Sequence, residues 1–116
     1  ISTASGLTGI LMSACTGTVM KGNTASNNSS FGIEVNGGSN NSIVSNTASE
    51  NALDGIASGT ADVTIDKNTA TGNGFDNGNS DGSGLGVLAP FGTPGSSNKA
   101  KLNDAANQCD PSSLCG

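Results

Sequence analysis

Apolar residues in this chain come in short alternating bursts set apart by Gly, Asn and Ser. Ile33-Glu34-Val35, Val63-Thr64-Ile65 and Leu85-Gly86-Val87 are examples. Alternation at a period of two predicts short strands with one buried face, and the Gly, Asn and Ser clusters predict the turns between them. No helical spacing of apolar positions is sustained along the chain. The bursts also recur at a longer interval. Gly9-Ile10, Gly32-Ile33 and Gly55-Ile56 mark one fixed point, and Met20, Ile43 and Ile65 mark a second. Three residues after each of these stands Asn23, Asn46 or Asn68, opening Asn-Thr-Ala-Ser or, at Asn68, Asn-Thr-Ala-Thr. A degenerate copy, Ser2-Thr3-Ala4-Ser5, precedes them. A fixed period of this size is the signature of a solenoid.

Three short strands and three turns use up one period, so the units read as coils: residues 1–22, 23–45 and 46–67, with a fourth beginning over 68–78. Inward columns are then Ile10/Ile33/Ile56, Met20/Ile43/Ile65 and Ala4/Ala25/Ala48/Ala70. Asn23, Asn46 and Asn68 form one column of corner asparagines, and Asn28, Asn51 and Asn73 a second. An inward Asn at a corner can bond both the local backbone and the amide of the next coil, satisfying turn groups that no strand reaches. Asn also tolerates the left-handed backbone that a tight corner needs. Ligand binding is the other use of such asparagines; structural ladders are the simpler one.

The stretch Gly32-Ile33-Glu34-Val35, followed by Ser39-Asn40-Asn41-Ser42-Ile43-Val44-Ser45-Asn46-Thr47-Ala48-Ser49-Glu50-Asn51, resembles the right-handed parallel β-helix repeat of the pectate-lyase-like superfamily. The resemblance covers residues 1–78 and resumes at Asn103-Asp104-Ala105, read as the next Asn-x-Ala corner after Asn68. It implies an all-β, right-handed parallel β-helix of about four coils of 22–23 residues, in a single domain spanning 1–116. Residues 79–116 are expected to form an irregular last coil and a loop-rich cap: Asn79 stands where the Ile column should continue, and the delayed strand falls near Leu85-Gly86-Val87-Leu88. One such fold carries lyases, hydrolases, adhesins and inert shafts, so function must come from the residues.

Composition changes the picture in three ways. Gly, Asn, Ser and Thr dominate, which would suggest disorder but for the fixed register of Ile and Ala. The net charge of −5 leaves no basic stripe for nucleic acid or an anionic membrane, and no apolar run reaches transmembrane length. Cys109 and Cys115 bracket a short turn-rich loop and are expected to form a disulfide, which fits a secreted or cell-surface protein. Cys15, the odd cysteine, is read as a small buried or half-buried residue in a coil turn, with intermolecular pairing as its other use.

Candidate chemistry is mostly subtractive. The chain has no His, Arg, Trp or Tyr. A lyase centre built on Arg beside calcium carboxylates cannot be assembled, and sugars find no flat ring to stack on. Asp54, Asp62, Asp66 and Asp76 fall on neighbouring coils; Asp54 and Asp76 could stand near each other, but no third acid shares their column, so solvated turn aspartates are the plainer reading. Asp76 to Gly82 has the oxygen-rich look of a calcium loop but lacks a closing Glu. No cofactor or metal is expected.

One surface is regular. If Ala of Asn-Thr-Ala-Ser points inward, its neighbours point outward. Thr3, Thr24, Thr47 and Thr69 would form one column, and Ser5, Ser26, Ser49 and Thr71 a second. The expectation is a non-catalytic scaffold or surface-binding segment. It is either the C-terminal part of a longer β-helix protein or a subunit that self-associates through an uncapped N-terminal coil. The Thr/Ser face offers a carbohydrate or ice surface, as on β-solenoid antifreeze proteins. A third reading is the C-terminal coils of a polysaccharide lyase or hydrolase.

Overall fold

The computed structural model describes residues 1–3, 6–60, 63–74, 87–88, 97–103, 108–110 and 112–115. Among the described residues thirteen short strands wind into three sheets, and every pairing among them is parallel. Sheet A stacks β1 (Ser2–Thr3), β4 (Thr24–Ser26), β7 (Thr47–Ser49), β10 (Thr69–Thr71) and β12 (Lys99–Lys101). Sheet B stacks β2 (Ile10–Thr16), β5 (Ile33–Ser39), β8 (Ile56–Ser58), β11 (Val87–Leu88) and β13 (Cys109–Asp110). Sheet C stacks β3 (Val19–Lys21), β6 (Asn41–Val44) and β9 (Val63–Asp66). A 3₁₀ turn, Ser112–Leu114, ends the chain's last loop.

The core is thin because only one side chain per strand or two point inward. Ile33, Ile56, Ile43, Ile65, Ala25, Ala48 and Ala70 are fully buried, and like residues stand above like. In backbone register Val87 follows Ile56 and Cys109 follows Val87, so a strand stands at the delayed position over Val87–Leu88, while Leu85 and Gly86 lie outside the described residues. Ala4 lies outside the described residues. Two of the Gly-Ile glycines, Gly9 and Gly32, have a steric cause. A Cβ on Gly32 would come within 2.5 Å of both Asn51 Nδ2 and the Gly55 carbonyl, and a Cβ on Gly9 would run into Asn28.

The corners follow one rule. A residue with left-handed backbone turns the chain, and the next residue, in the corners flanking sheet A, is the inward asparagine. Gly22, Ser45 and Lys67 have φ of 69°, 57° and 55° and precede Asn23, Asn46 and Asn68; Asn27, Glu50, Gly72 and Leu102 have φ of 56°, 54°, 66° and 57° and precede Asn28, Asn51, Asn73 and Asn103. Asn40, with φ of 54°, precedes Asn41 at the third corner in the same way. The ladder asparagines therefore do not themselves supply the left-handed conformation, contrary to the expectation from sequence. Their own N–H must lie along the stacking direction to meet the next rung, and the preceding residue makes the bend.

Three register expectations are corrected. Ser2 pairs with Ala25 and Thr3 with Ser26, so the first copy sits two residues away from the alignment its Ser-Thr-Ala-Ser spelling suggests. Asn103 does not continue the Asn68 column. Asn98 does, 30 residues after Asn68, and Lys99-Ala100-Lys101 stacks on Thr69-Ala70-Thr71. Cys15 lies within the long strand β2, paired with Gly38, rather than in a turn.

Candidate functional site

Two asparagine ladders frame sheet A. In the first, Asn46 Oδ1 accepts the Asn23 N–H at 2.8 Å and the Asn23 side-chain amide at 3.2 Å. Asn68 Oδ1 receives the same pair of bonds from Asn46 at 2.8 and 3.1 Å, and Asn98 Oδ1 from Asn68 at 3.0 Å each. The Asn46, Asn68 and Asn98 amides also donate to a carbonyl of the preceding coil, as Asn68 does to Ile43 at 2.8 Å, whereas Asn23 donates to Lys21 of its own coil. The second ladder runs Asn28, Asn51, Asn73, Asn103 with the same double bonds. Asn51, Asn68, Asn73 and Asn98 are fully buried. All six expected ladder asparagines take part. Asn98, Asn103 and Gln108, whose Oε1 accepts from Asn103, extend the system beyond them. The spacing Asn98-x-Ala100-x-x-Asn103 repeats Asn68-x-Ala70-x-x-Asn73 and was the signal for two of these. These bonds are satisfied internally, so the ladders hold a wall.

The wall they hold is sheet A. Ala25, Ala48 and Ala70 of β4, β7 and β10 are buried, so their neighbours on those strands face out. Thr24, Thr47 and Thr69 stand in one register column, and Ser26, Ser49 and Thr71 in the other. Strand geometry sets the columns ~7 Å apart along the chain and ~4.8 Å apart between rungs. No ionisable side chain lies on these three rungs. The array stops on both sides. Thr3 falls in the Ser26 column instead of the Thr24 column, and Ser2 takes an Ala position. Ser5 lies outside the described residues. At the other end Lys99 and Lys101 replace the hydroxyls. Beside the second column an open groove is lined by Asn27, Ser49, Glu50, Thr71, Gly72 and Leu102.

The other candidates resolve differently. Asp54 is buried and its backbone carbonyl accepts the Gly32 N–H at 3.0 Å, while Asp66 Oδ1 accepts the Ser97 N–H at 3.2 Å. Asp62, Asp76 and the oxygen-rich loop through Gly82 lie outside the described residues. Among the described residues no three His, Cys, Asp or Glu side chains gather as a metal site. No helix of the described residues is long and apolar enough to cross a membrane. Cys109 and Cys115 are joined as a disulfide with their Cα atoms 6.0 Å apart. Cys15 is a free thiol, half-buried, with Sγ 3.4 Å from the Ser13 carbonyl.

No characterised protein and no solved structure matches the chain. A family model described as a right-handed β-helix region matches residues 1–107. With its strands coiled into three parallel sheets over the same span, the chain belongs to the right-handed β-helix family.

Proposed function

We propose that this β-helix is a non-catalytic scaffold of a secreted or cell-surface protein, and that its contact face is the hydroxyl array of sheet A. The observation that carries the reading is the register of Thr24, Thr47 and Thr69 beside Ser26, Ser49 and Thr71, free of charge on three successive rungs. Buried ladders on both sides keep that array rigid, so little ordering entropy is lost when it meets a regular surface. A flat, neutral donor–acceptor lattice suits an ordered hydroxylated solid better than a small soluble ligand. The partner class is a neutral insoluble polysaccharide. The disulfide supports an oxidising compartment. The lack of His and Arg supports the absence of lyase chemistry.

A second reading is ice binding, favoured by the unbroken Thr24–Thr47–Thr69 column with its ordered methyls. Ser26 and Ser49 in the other column lack that methyl, which ranks it second. One pair of proteins tests both. Wild type and Thr47→Lys are compared for adsorption to insoluble cellulose and chitin, and for thermal hysteresis with ice shaping. Thr47 is exposed, so the substitution is expected to leave stability within about 0.5 kcal/mol. Depletion of wild type by one solid, lost in Thr47→Lys, supports the contact face. Wild type that neither adsorbs nor shapes ice rejects it, and turnover of polygalacturonate would overturn the non-catalytic assignment.

A further inference from the structure

Asparagine followed by glycine is the dipeptide whose side-chain amide most readily cyclises onto the main chain, because glycine has no Cβ to shield the attacking nitrogen. The chain holds three such pairs: Asn36-Gly37, Asn73-Gly74 and Asn77-Gly78. Asn77 and Gly78 lie outside the described residues. The fold treats the other two in opposite ways. Asn73 is locked. It is fully buried, and its Oδ1 accepts the Asn51 N–H at 3.0 Å and the Asn51 amide at 2.8 Å. Its Nδ2 donates to the Ala48 carbonyl at 3.1 Å and to Asn103 Oδ1 at 2.9 Å. The nitrogen that would attack it is held too: the Gly74 N–H donates to the Asn51 carbonyl at 2.9 Å. Cyclisation at this site has to undo a buried ladder rung first.

Asn36 stands where the pairing lets go. Val35 before it is fully buried, and Asn36 itself is exposed on the outward face of β5. The register of β2 on β5 runs from Ser13–Asn36 to Cys15–Gly38 and steps over Ala14 and Gly37, while the register of β5 on β8 ends at Val35–Ser58. Gly37 therefore has no register partner on either side among the described residues. Ala14 and Gly37 both take left-handed backbone there, with φ of 52° and 83°. A Cβ built on Gly37 would meet nothing nearer than Ala14, at 3.6 Å, so glycine is selected at 37 by backbone angle and not by lack of space. The same choice leaves the nitrogen beside Asn36 unshielded.

We propose that Asn36 is a self-modification site: in the folded protein its side chain cyclises onto the Gly37 nitrogen and reopens as aspartate or isoaspartate, with water as the only co-reactant. The Gly37 nitrogen gives up its proton and bonds to Asn36 Cγ. The Cγ–Nδ2 bond breaks, and Nδ2 leaves as ammonia with that proton. Water then opens the resulting imide. Attack at Cγ restores the main chain and leaves aspartate; attack at the Asn36 main-chain carbonyl carbon leaves isoaspartate. One water is consumed, one ammonia is released and no electrons are transferred. Either product adds one negative charge to a net of −5. That charge appears on the same outward face as Glu34, ~7 Å along the strand. Isoaspartate also lengthens the main chain by one carbon. The lengthening falls at the kink, and Gly38, packed against the Cys15 carbonyl, marks where the pairing resumes.

β5 belongs to sheet B, so this site is independent of the contact face proposed on sheet A. The test incubates native protein and protein unfolded in guanidinium chloride in the same mildly alkaline buffer, then follows the peptides around Asn36 and Asn73 by mass spectrometry. Native Asn36 is expected to convert within a few-fold of its unfolded rate, whereas native Asn73 should be slowed at least about tenfold, because it reacts only when its rung opens. Isoaspartate should appear in the Asn36 peptide, since direct hydrolysis of the side chain gives aspartate alone. Asn36→Gln keeps an exposed amide but needs a larger ring, so residue 36 should then stay unconverted over the same period. Three results overturn the proposal: native Asn36 slowed as much as native Asn73, aspartate at residue 36 without isoaspartate, or Asn36→Gln converting as fast as wild type.

Discussion

Replacing Asn51 with Ala tests whether the ladders or the apolar columns hold the coils together. Asn51 is fully buried and sits mid-ladder. Its Oδ1 accepts the Asn28 N–H at 3.1 Å and the Asn28 amide at 2.8 Å. Its Nδ2 donates to the Ala25 carbonyl at 3.2 Å and to Asn73 Oδ1 at 2.8 Å. The substitution removes the acceptor from two donors of Asn28, itself buried, and a donor from Ala25. Leaving a buried polar group without its partner costs about 1–3 kcal/mol, so the two donors together predict a loss of about 4 kcal/mol. That is a large share of the roughly 5–15 kcal/mol that holds a domain folded. With a urea slope of about 1.5 kcal/mol per molar, the midpoint should fall by about 2.7 M. Asn23→Ala is the internal comparison. Asn23 is only half-buried, its Oδ1 accepts nothing from the described residues, and Asn46 Oδ1 keeps the backbone donor of residue 23. Its loss should be about 1 kcal/mol or less. Equilibrium urea unfolding of both variants gives the contrast directly. Equal losses at the two positions, or a loss under about 1 kcal/mol at Asn51, would refute the view that buried ladder bonds are a main support of this fold.

Two further outcomes follow from the same geometry. Gly32→Ala places a methyl against Asn51 Nδ2 and the Gly55 carbonyl, so it should destabilise by about 1–3 kcal/mol in thermal or urea unfolding, whereas Gly59→Ala, where a Cβ meets nothing within 4 Å, should change stability little. Gln108→Ala removes the acceptor for both Asn103 donors. It should speed hydrogen exchange of the Asn103 amide at least about tenfold while leaving the Asn46 and Asn51 amides protected, because solenoid coils lean on their neighbours alone.

Much of this architecture was legible before any coordinates. Ile10, Ile33 and Ile56 recur at one interval with glycine before each, and Asn23, Asn46 and Asn68 recur at nearly the same one. A stacked coil repeats its environment every rung, so each rung asks for the same residue type, and the chain spells out its own period. The cysteines of the last loop were legible for a similar reason: two of them bracket a short turn. Where the repeat loosened, spelling misled. Ser2-Thr3-Ala4-Ser5 looks like the later copies, yet Ser2 pairs with Ala25. Asn103-Asp104-Ala105 looks like a corner opening, yet Asn98 holds that place. Pairing energy is summed over the whole coil, core columns included, and a local resemblance of four residues does not outweigh it.

By itself the sequence determined the fold, the two ladders, the slim Ala column and the disulfide, because each of these repeats or is bracketed by unmistakable residues. Only the tertiary structure decided where the hydroxyl array begins and ends. It set Thr3 off the Thr24 column, put Lys99 and Lys101 on the rung after Thr69 and Thr71, and brought Gln108 and Leu114 onto the ends of the ladders. Those facts turn on how many residues separate one rung from the next, 30 at the last step against 22 or 23 before it. A solenoid absorbs such an insertion outside its rungs, so the register beyond it is chosen by stacking and not by counting along the chain.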